Sequence, residues 1–199
     1  QQQIDALNVR LIFSPTIVSG STLYDIKPGD TLVKIAKEFN TTVELIMKAN
    51  NISSSNIQLG KKIKVQSIPI SVVVDKSQNI LLLKAGDEVI KTYVVSTGAN
   101  NSTPVGNFRI VNKLANPTWF KAGAVVAADS PANILGTRWM GIDLPGYGIH
   151  GTPAPELIGK TGSHGCFRLT NWDAQRLGKM VRVGVPVRFI ESASSKRRA

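Results

Sequence analysis

Only one cysteine, Cys166, is present among the 199 residues, so no internal disulfide can form and the fold cannot rest on a disulfide framework. Histidine is almost as scarce, with His150 and His164 the only two. A zinc site therefore has little to draw on. His-x-Cys at 164 to 166 lacks the usual ligand spacing and no fourth ligand is evident, so neither a metal nor another cofactor is expected. No run of 18 apolar residues occurs, which excludes a membrane-spanning helix within this sequence. Acidic residues are few, 13 against 24 Lys and Arg, giving a net charge of +11. Such an excess suits a polyanionic partner: nucleic acid, an acidic membrane or an anionic wall polymer. No helix-turn-helix, zinc-finger or RNA-platform motif accompanies the charge, so nucleic acid is not expected as a partner. "IGKT" at 158 to 161 is no phosphate loop, because position 154 is Ala where the pattern needs Gly. The chain begins "QQQID" without Met, which reads as a trimmed end from which an export signal or anchor has been removed.

What is present suits an ordered, loop-rich globular protein: 42% hydrophobic residues with 17 Gly and 10 Pro. Residues 1–21 show no clear period and stay unassigned, with "LIFSPTIVSGS" reading as an extended segment or linker. Residues 22–66 are more regular. A short strand is predicted at Leu23–Ile26, followed by a turn at Pro28-Gly29. Asp30 is placed as the N-cap of a helix carrying Leu32, Ile35, Ala36 and Phe39 at helical spacing. Thr41 and Glu44 suit a capping box for a second short helix with Val43, Ile46 and Met47. "LGKKIKV" reads as a closing strand. The order is strand, helix, helix, strand.

From residue 67 the pattern changes. "SIPIS" reads as a linker, and a β-rich region follows to residue 191. "SVVVD", "NILLLK", "EVIKTYVVST", "NFRIVNK", "RWMGIDL" and "VPVRFI" are predicted strands, with "KSQN" and "KAGD" as hairpin turns. One helix is expected near the end, capped by Asn171 and burying Ala174, Leu177 and Val181. The fold class is therefore a mainly β domain, a mostly antiparallel sandwich or barrel with one appended helix, behind a small βααβ domain. Residues 192–199 read as a basic tail.

The chemistry concentrates around "GYGIHGT" and "SHGCFRL". Glycines crowd both stretches, as expected where backbone adopts positive φ or approaches a ligand. A cysteine nucleophile needs a base or positive charge close by, and two histidines are available. His164, two residues before Cys166, would share its face on a strand, whereas His150 can reach it only through the fold. The base also needs an orienting group. No carboxylate lies beside either motif except Glu156, so a backbone carbonyl is a reasonable candidate. Backbone N–H groups in a Gly-containing turn would serve an oxyanion. Arg168 supplies a fixed positive charge suited to a substrate carboxylate.

These residues carry two resemblances. "KPGDTLVKIAKEF", "TTVELIMKANN" and "IQLGKKIKV" resemble a LysM module, which implies binding of N-acetylglucosamine-containing glycans such as peptidoglycan. The implied groove lies between Gly29, Asp30 and Thr31 on one side and Asn50, Asn51 and Ile52 on the other. "IHGT" followed by "SHGCFRL" resembles the signature of L,D-transpeptidases with the YkuD-type catalytic domain. "TPVGNFRI", "NPTWF" and "LGTRWMGIDLPGYGIHGT" support the same resemblance. It implies Cys166 as nucleophile and His150 as base, with Gly151 offering its carbonyl to the imidazole. It implies His164, Gly165 and Cys166 as the oxyanion segment, Ser163 in the Ser/Thr slot and Arg168 after the motif. Trp119, Tyr147 and Gly148 are candidate substrate contacts. The implied reaction is thioester acyl transfer on peptidoglycan stem peptides, outside the cytoplasm, by an enzyme that carbapenems acylate.

Overall fold

The computed structural model describes residues 2–121, 123–163 and 165–192. It opens on a helix, α1 (Gln2–Ile12), in a stretch where the sequence shows no clear period. Ile4 and Leu7 are exposed while Val9 and Ile12 are buried, so no apolar stripe announces it. Tertiary contact holds it instead. Val9 and Ile12 enter the main core, and the Asp5 carboxylate accepts the Thr92 N–H at 2.8 Å.

The βααβ unit follows as β1 (Ser21–Asp25), α2 (Leu32–Glu38), α3 (Val43–Ala49) and β2 (Lys62–Gln66). β1 and β2 pair antiparallel, and the helices close over them around Ile26, Leu32, Ile35, Ile46, Ile63 and Val65. The helix caps differ from those expected. Thr31 caps α2 through its hydroxyl and the Lys34 N–H, because the Asp30 carboxylate is already taken by the Lys27 N–H and the Tyr24 hydroxyl. Thr42, not Thr41, caps α3 by accepting the Leu45 N–H. In both cases the residue with extended φ and ψ directly before the first turn is the one that caps.

Lys64 on β2 is 2% exposed. Its ammonium donates to the carbonyls of Leu11, Ser14 and Thr16 at 2.7, 3.0 and 2.6 Å. It thus satisfies the carboxyl end of α1 and the chain beyond, at the cost of a pKa lowered by burial. Replacing Lys64 with Met keeps the aliphatic stem but strands the Ser14 and Thr16 carbonyls, while Leu11 keeps the Ser14 N–H and hydroxyl. The expected loss is about 2–4 kcal/mol of stability, to be read as a lower urea midpoint at unchanged slope.

The remaining elements are β3 (Ile70–Asp75), β4 (Ile80–Ala85), β5 (Glu88–Val94), β6 (Thr97–Gly98), β7 (Gly106–Ala115), β8 (Trp119–Lys121), β9 (Ala124–Val126), β10 (Arg138–Ile142), β11 (Gly148–His150), β12 (Thr161–Ser163), β13 (Phe167–Arg168), α4 (Asn171–Met180) and β14 (Pro186–Ile190). Eight of these strands form one mixed sheet in the order β13-β11-β10-β7-β14-β3-β4-β5. Its neighbours are antiparallel except β11 with β13 and β14 with β3. An antiparallel bridge between Ser96, just after β5, and Arg168 on β13 brings the two edges of the sheet together. The sheet is therefore curled almost into a barrel. α4 buries Ala174, Leu177 and Met180. Its cap is Thr170, whose hydroxyl accepts the Asp173 N–H, while the Asn171 side chain turns back to accept the Thr137 N–H.

The two units share a core. Leu45 of α3 is buried in the main hydrophobic cluster with Phe167, Phe189 and Leu177. The Thr42 hydroxyl donates to the Lys179 carbonyl, and Arg182 donates to the carbonyl and side chain of Asn40 at 3.2 and 3.0 Å. Apart from Ser192, which bonds Asp75, the basic tail lies outside the described residues.

Candidate active site

The register of the edge strands assembles the site. β11 and β13 run parallel with Ile149 beside Phe167 and His150 beside Arg168. Side chains alternate across a sheet, so Ile149 and Phe167 point into the core and are fully buried. His150 and Arg168 share the opposite face, and Cys166, two residues before Arg168, emerges on that face too. The same row continues through Trp139, paired with His150, and Leu114, paired with Trp139. The result is a cleft of about 460 Å³ lined by His150, Ser163, Cys166, Arg168, Gly146 and Trp139, with the β8–β9 hairpin contributing Trp119 and Phe120.

His150 is 2% exposed. Its Nδ1 lies 2.6 Å from the Gly151 carbonyl, and a carbonyl only accepts, so Nδ1 carries the proton and Nε2 is the basic nitrogen. The Trp139 ring stacks on the imidazole with centroids 5.7 Å apart. Burial pushes the His150 pKa down to about 4, with the Arg168 charge acting the same way and the Gly151 and Leu135 carbonyls opposing. Burial pushes the Cys166 thiol up, partly offset by the Gly148 N–H and by Arg168. Its Sγ sits 3.5 Å from the Gly146 carbonyl. At neutral pH the cleft therefore holds a thiol and a neutral imidazole. Such a pair works by proton transfer during attack rather than from a stored thiolate. Arg168 lines the cleft, and its Nε is buried without a hydrogen-bond partner among the described residues.

The turn that carries Cys166 is tied from within. The Ser163 hydroxyl accepts the Gly165 N–H at 3.0 Å and donates to the Cys166 carbonyl at 2.6 Å. The Gly165 N–H is thus committed inside the turn, which corrects the expectation that it faces an oxyanion. Gly165 has φ +123°, and a Cβ there would lie 2.5 Å from the Tyr147 ring. Tyr147 is likewise not on the cleft wall; it packs over Gly165, and its hydroxyl donates to the Ser102 carbonyl at 3.2 Å. Gly148 lies in the strand floor, where a Cβ would meet Trp139 at 2.7 Å. His164 lies outside the described residues. Trp119 does line the cleft, but from strand β8 rather than from a loop. Trp139 was not among the site candidates; only the strand register, with Trp139 opposite His150, could have found it.

The glycan-site candidates separate into two groups. Asn50, Asn51 and Ile52 line a second cleft of about 480 Å³ with Ser53, Gln58 and Lys62. Gly29, Asp30 and Thr31 are not on its wall. Asp30 and Thr31 are engaged as described above, and Asn50 is a pin between α3 and β2. Its amide donates to Ile46 and Lys64 carbonyls and its oxygen accepts the Lys64 N–H, leaving its hydrogen-bonding capacity largely used. Among the described residues, no group of three His, Cys, Asp or Glu could hold a metal, and no helix is long and apolar enough to cross a membrane.

Comparison with known proteins gives this site a lineage. The model of the L,D-transpeptidase catalytic domain, YkuD, matches residues 69–189, and that of the LysM domain matches residues 24–66. The YkuD protein of Bacillus licheniformis, itself assigned to the L,D-transpeptidases, is 32% identical over 173 residues, covering 83% of this chain and 96% of its own. Among solved structures, an L,D-transpeptidase captured as an avibactam carbamoyl enzyme is 28% identical with a TM-score of 0.52, over 70% of this chain and 56% of that one. A transpeptidase in complex with imipenem shares the fold at 18% identity and a TM-score of 0.51, over 65% of this chain and 63% of its own. The chain thus spans less than two thirds of each of these solved chains. With the family model covering more than half of the sequence and a relative matched over nearly its whole length, the chain belongs to the YkuD family of L,D-transpeptidases and carries a LysM domain before the catalytic one.

Proposed function

We propose that the protein is a peptidoglycan L,D-transpeptidase that works through a Cys166 thioester. The observation that carries this reading is the convergence of Cys166, the Nε2 side of His150 and Arg168 on one largely apolar cleft. Cys166 Sγ attacks the carbonyl of the amide joining a diamino acid to the terminal D-Ala of a tetrapeptide stem. His150 Nε2 takes the thiol proton and passes it to the departing amine, so D-Ala leaves and a thioester remains. The Cys166 N–H faces the developing oxyanion, and Arg168 holds a carboxylate of the stem. An amine of a neighbouring stem then attacks the thioester, gives its proton to His150 and releases the thiol, forming a 3→3 cross-link.

The LysM domain holds the glycan, which places the work of the enzyme in the wall, outside the cytoplasmic membrane. Carbapenems acylate the same thiol, a reading supported by the imipenem complex of the structural neighbour. Defined disaccharide tetrapeptides test the acceptor. The expected products are free D-Ala and a 3→3 dimer by mass spectrometry. Tripeptide without dimer would make the enzyme an L,D-carboxypeptidase of the same chemistry, and incorporation of an added D-amino acid would make it an exchange enzyme.

A further inference from the structure

Thr103 takes no part in the cleft lining, yet it is 1% exposed and bonded on both sides. Its hydroxyl accepts the Gly98 N–H at 2.9 Å and donates to the Gly165 carbonyl at 2.9 Å. A hydroxyl has a single proton. With the Gly98 N–H occupying an acceptor position, that proton is directed to Gly165. The approach is close, since a Cβ on Gly98 would fall 2.8 Å from both the Gly165 Cα and the Thr103 hydroxyl. Gly98 is also the parallel partner of Ser163, so Thr103 joins the nucleophile turn to the β6–β12 ladder.

The Gly165 carbonyl and the Cys166 N–H are two ends of one peptide plane, and in a trans peptide they point in opposite directions. The plane hangs on Gly165, whose φ of +123° lies where only glycine sits easily. Nothing in the intrinsic preference of glycine holds such a plane in one orientation. Ser163 grips the plane before it and the carbonyl after it, but not this plane. Among the described residues the Cys166 N–H makes no hydrogen bond, so its direction is set from the carbonyl end.

We propose that Thr103 is a positioning residue for acyl transfer: by fixing and polarising the Gly165–Cys166 peptide, it aims the Cys166 N–H at the oxyanion. This rests on the acyl-transfer reading above. A hydrogen bond to the carbonyl strengthens the donor at the other end of the amide, and holding it in advance removes reorganisation from the reaction step. Substrate affinity does not depend on it, because Thr103 touches no cleft surface.

The test separates two reactions of the same thiol. Acylation by a carbapenem passes through an oxyanion; alkylation by iodoacetamide does not. For Thr103→Val, near-isosteric but without the hydroxyl, the acylation rate constant should fall on the order of 10- to 100-fold while alkylation stays within about twofold of the parent. With the tetrapeptide substrate the same loss should appear in kcat, with KM little changed. Thr103→Ser should restore acylation to within a few-fold of the parent. Equal losses in acylation and alkylation would overturn the proposal, because they would mean that the whole turn had slackened. Parental acylation in Thr103→Val would overturn it as well. A parent that is alkylated but never acylated would remove the acyl-transfer reading itself, and this role with it. Thermal melts of both variants identify any that fail to fold, in which case the Ser variant and its acylation-to-alkylation ratio decide.

Discussion

Cys166→Ala should form no covalent adduct with a carbapenem, while the parent gains one inhibitor mass per chain. In the same variant, turnover of tetrapeptide stems should fall on the order of 10⁶-fold, the scale seen when an enzyme's nucleophile is removed outright. Both effects follow from chemistry that no neighbouring group can supply. Cys166 is the sole thiol in the chain. Ser163, the nearest hydroxyl in the cleft, is locked between the Gly165 N–H and the Cys166 carbonyl. The fold should be indifferent to the change, because Cys166 is only partly buried and ends at the cleft wall rather than in the core. An unchanged melting temperature with no adduct is therefore the expected pair of results. An adduct on the alanine variant would place the nucleophile elsewhere. No adduct on either protein would leave a wall-binding protein with an idle cleft as the better description.

His150→Gln should slow acylation by about 10²- to 10⁴-fold, the range that a positioned general base contributes. The more discriminating result is the pH dependence. The folded pKa of His150 is lowered to about 4, chiefly by burial. A base works only when deprotonated, so the parent rate should hold as pH falls from neutral and be lost through pH 4. An exposed imidazole would lose it near about 6.5. The variant should behave differently. Without the base, acylation requires the thiolate, and the Cys166 thiol is raised by burial. Its rate should then climb tenfold per pH unit from neutral into the alkaline range. Carbapenem acylation followed by mass between pH 3.5 and 9 measures both curves. A parent midpoint near 6.5 would show that the imidazole is solvated in the working cleft and that the stacked Trp139 does not shield it.

The β-rich order of the catalytic domain is legible in the sequence because its strands are compact apolar runs between turn residues. "SVVVD" and "NILLLK" become β3 and β4 with the turn where expected. That Cys166 and His150 line one cleft was to be expected from the family resemblance, whereas scarcity alone left His164 equally open. Other features depend on contacts that a linear pattern does not carry. α1 is held by contacts far along the chain, Lys64 donating to its Leu11 carbonyl and Asp5 accepting the Thr92 N–H. Each expected cap fell one residue from the observed one, since Asp30 and Asn171 have side-chain partners elsewhere that compete with capping. Trp139 joins the site through cross-strand register, and the closure of the sheet rests on the bridge at Ser96. The Gly165 N–H looked available because a turn glycine often is; the serine two residues earlier claims it.

The shared core beneath Leu45 bears on what the LysM domain can do for the catalytic domain. A module on a slack tether raises the chance of encounter but leaves the angle and distance of approach free. Here Thr42 is fastened to Lys179 on α4 and Asn40 to Arg182 just beyond it, and the connecting segment is pinned where Ser67 and Ile68 donate to the Gly20 carbonyl. A glycan strand seated in the second cleft would therefore meet the thiol at one fixed offset. If the proposed reaction holds, the packing of α3 against α4 would fix where along a bound strand the thiol acts.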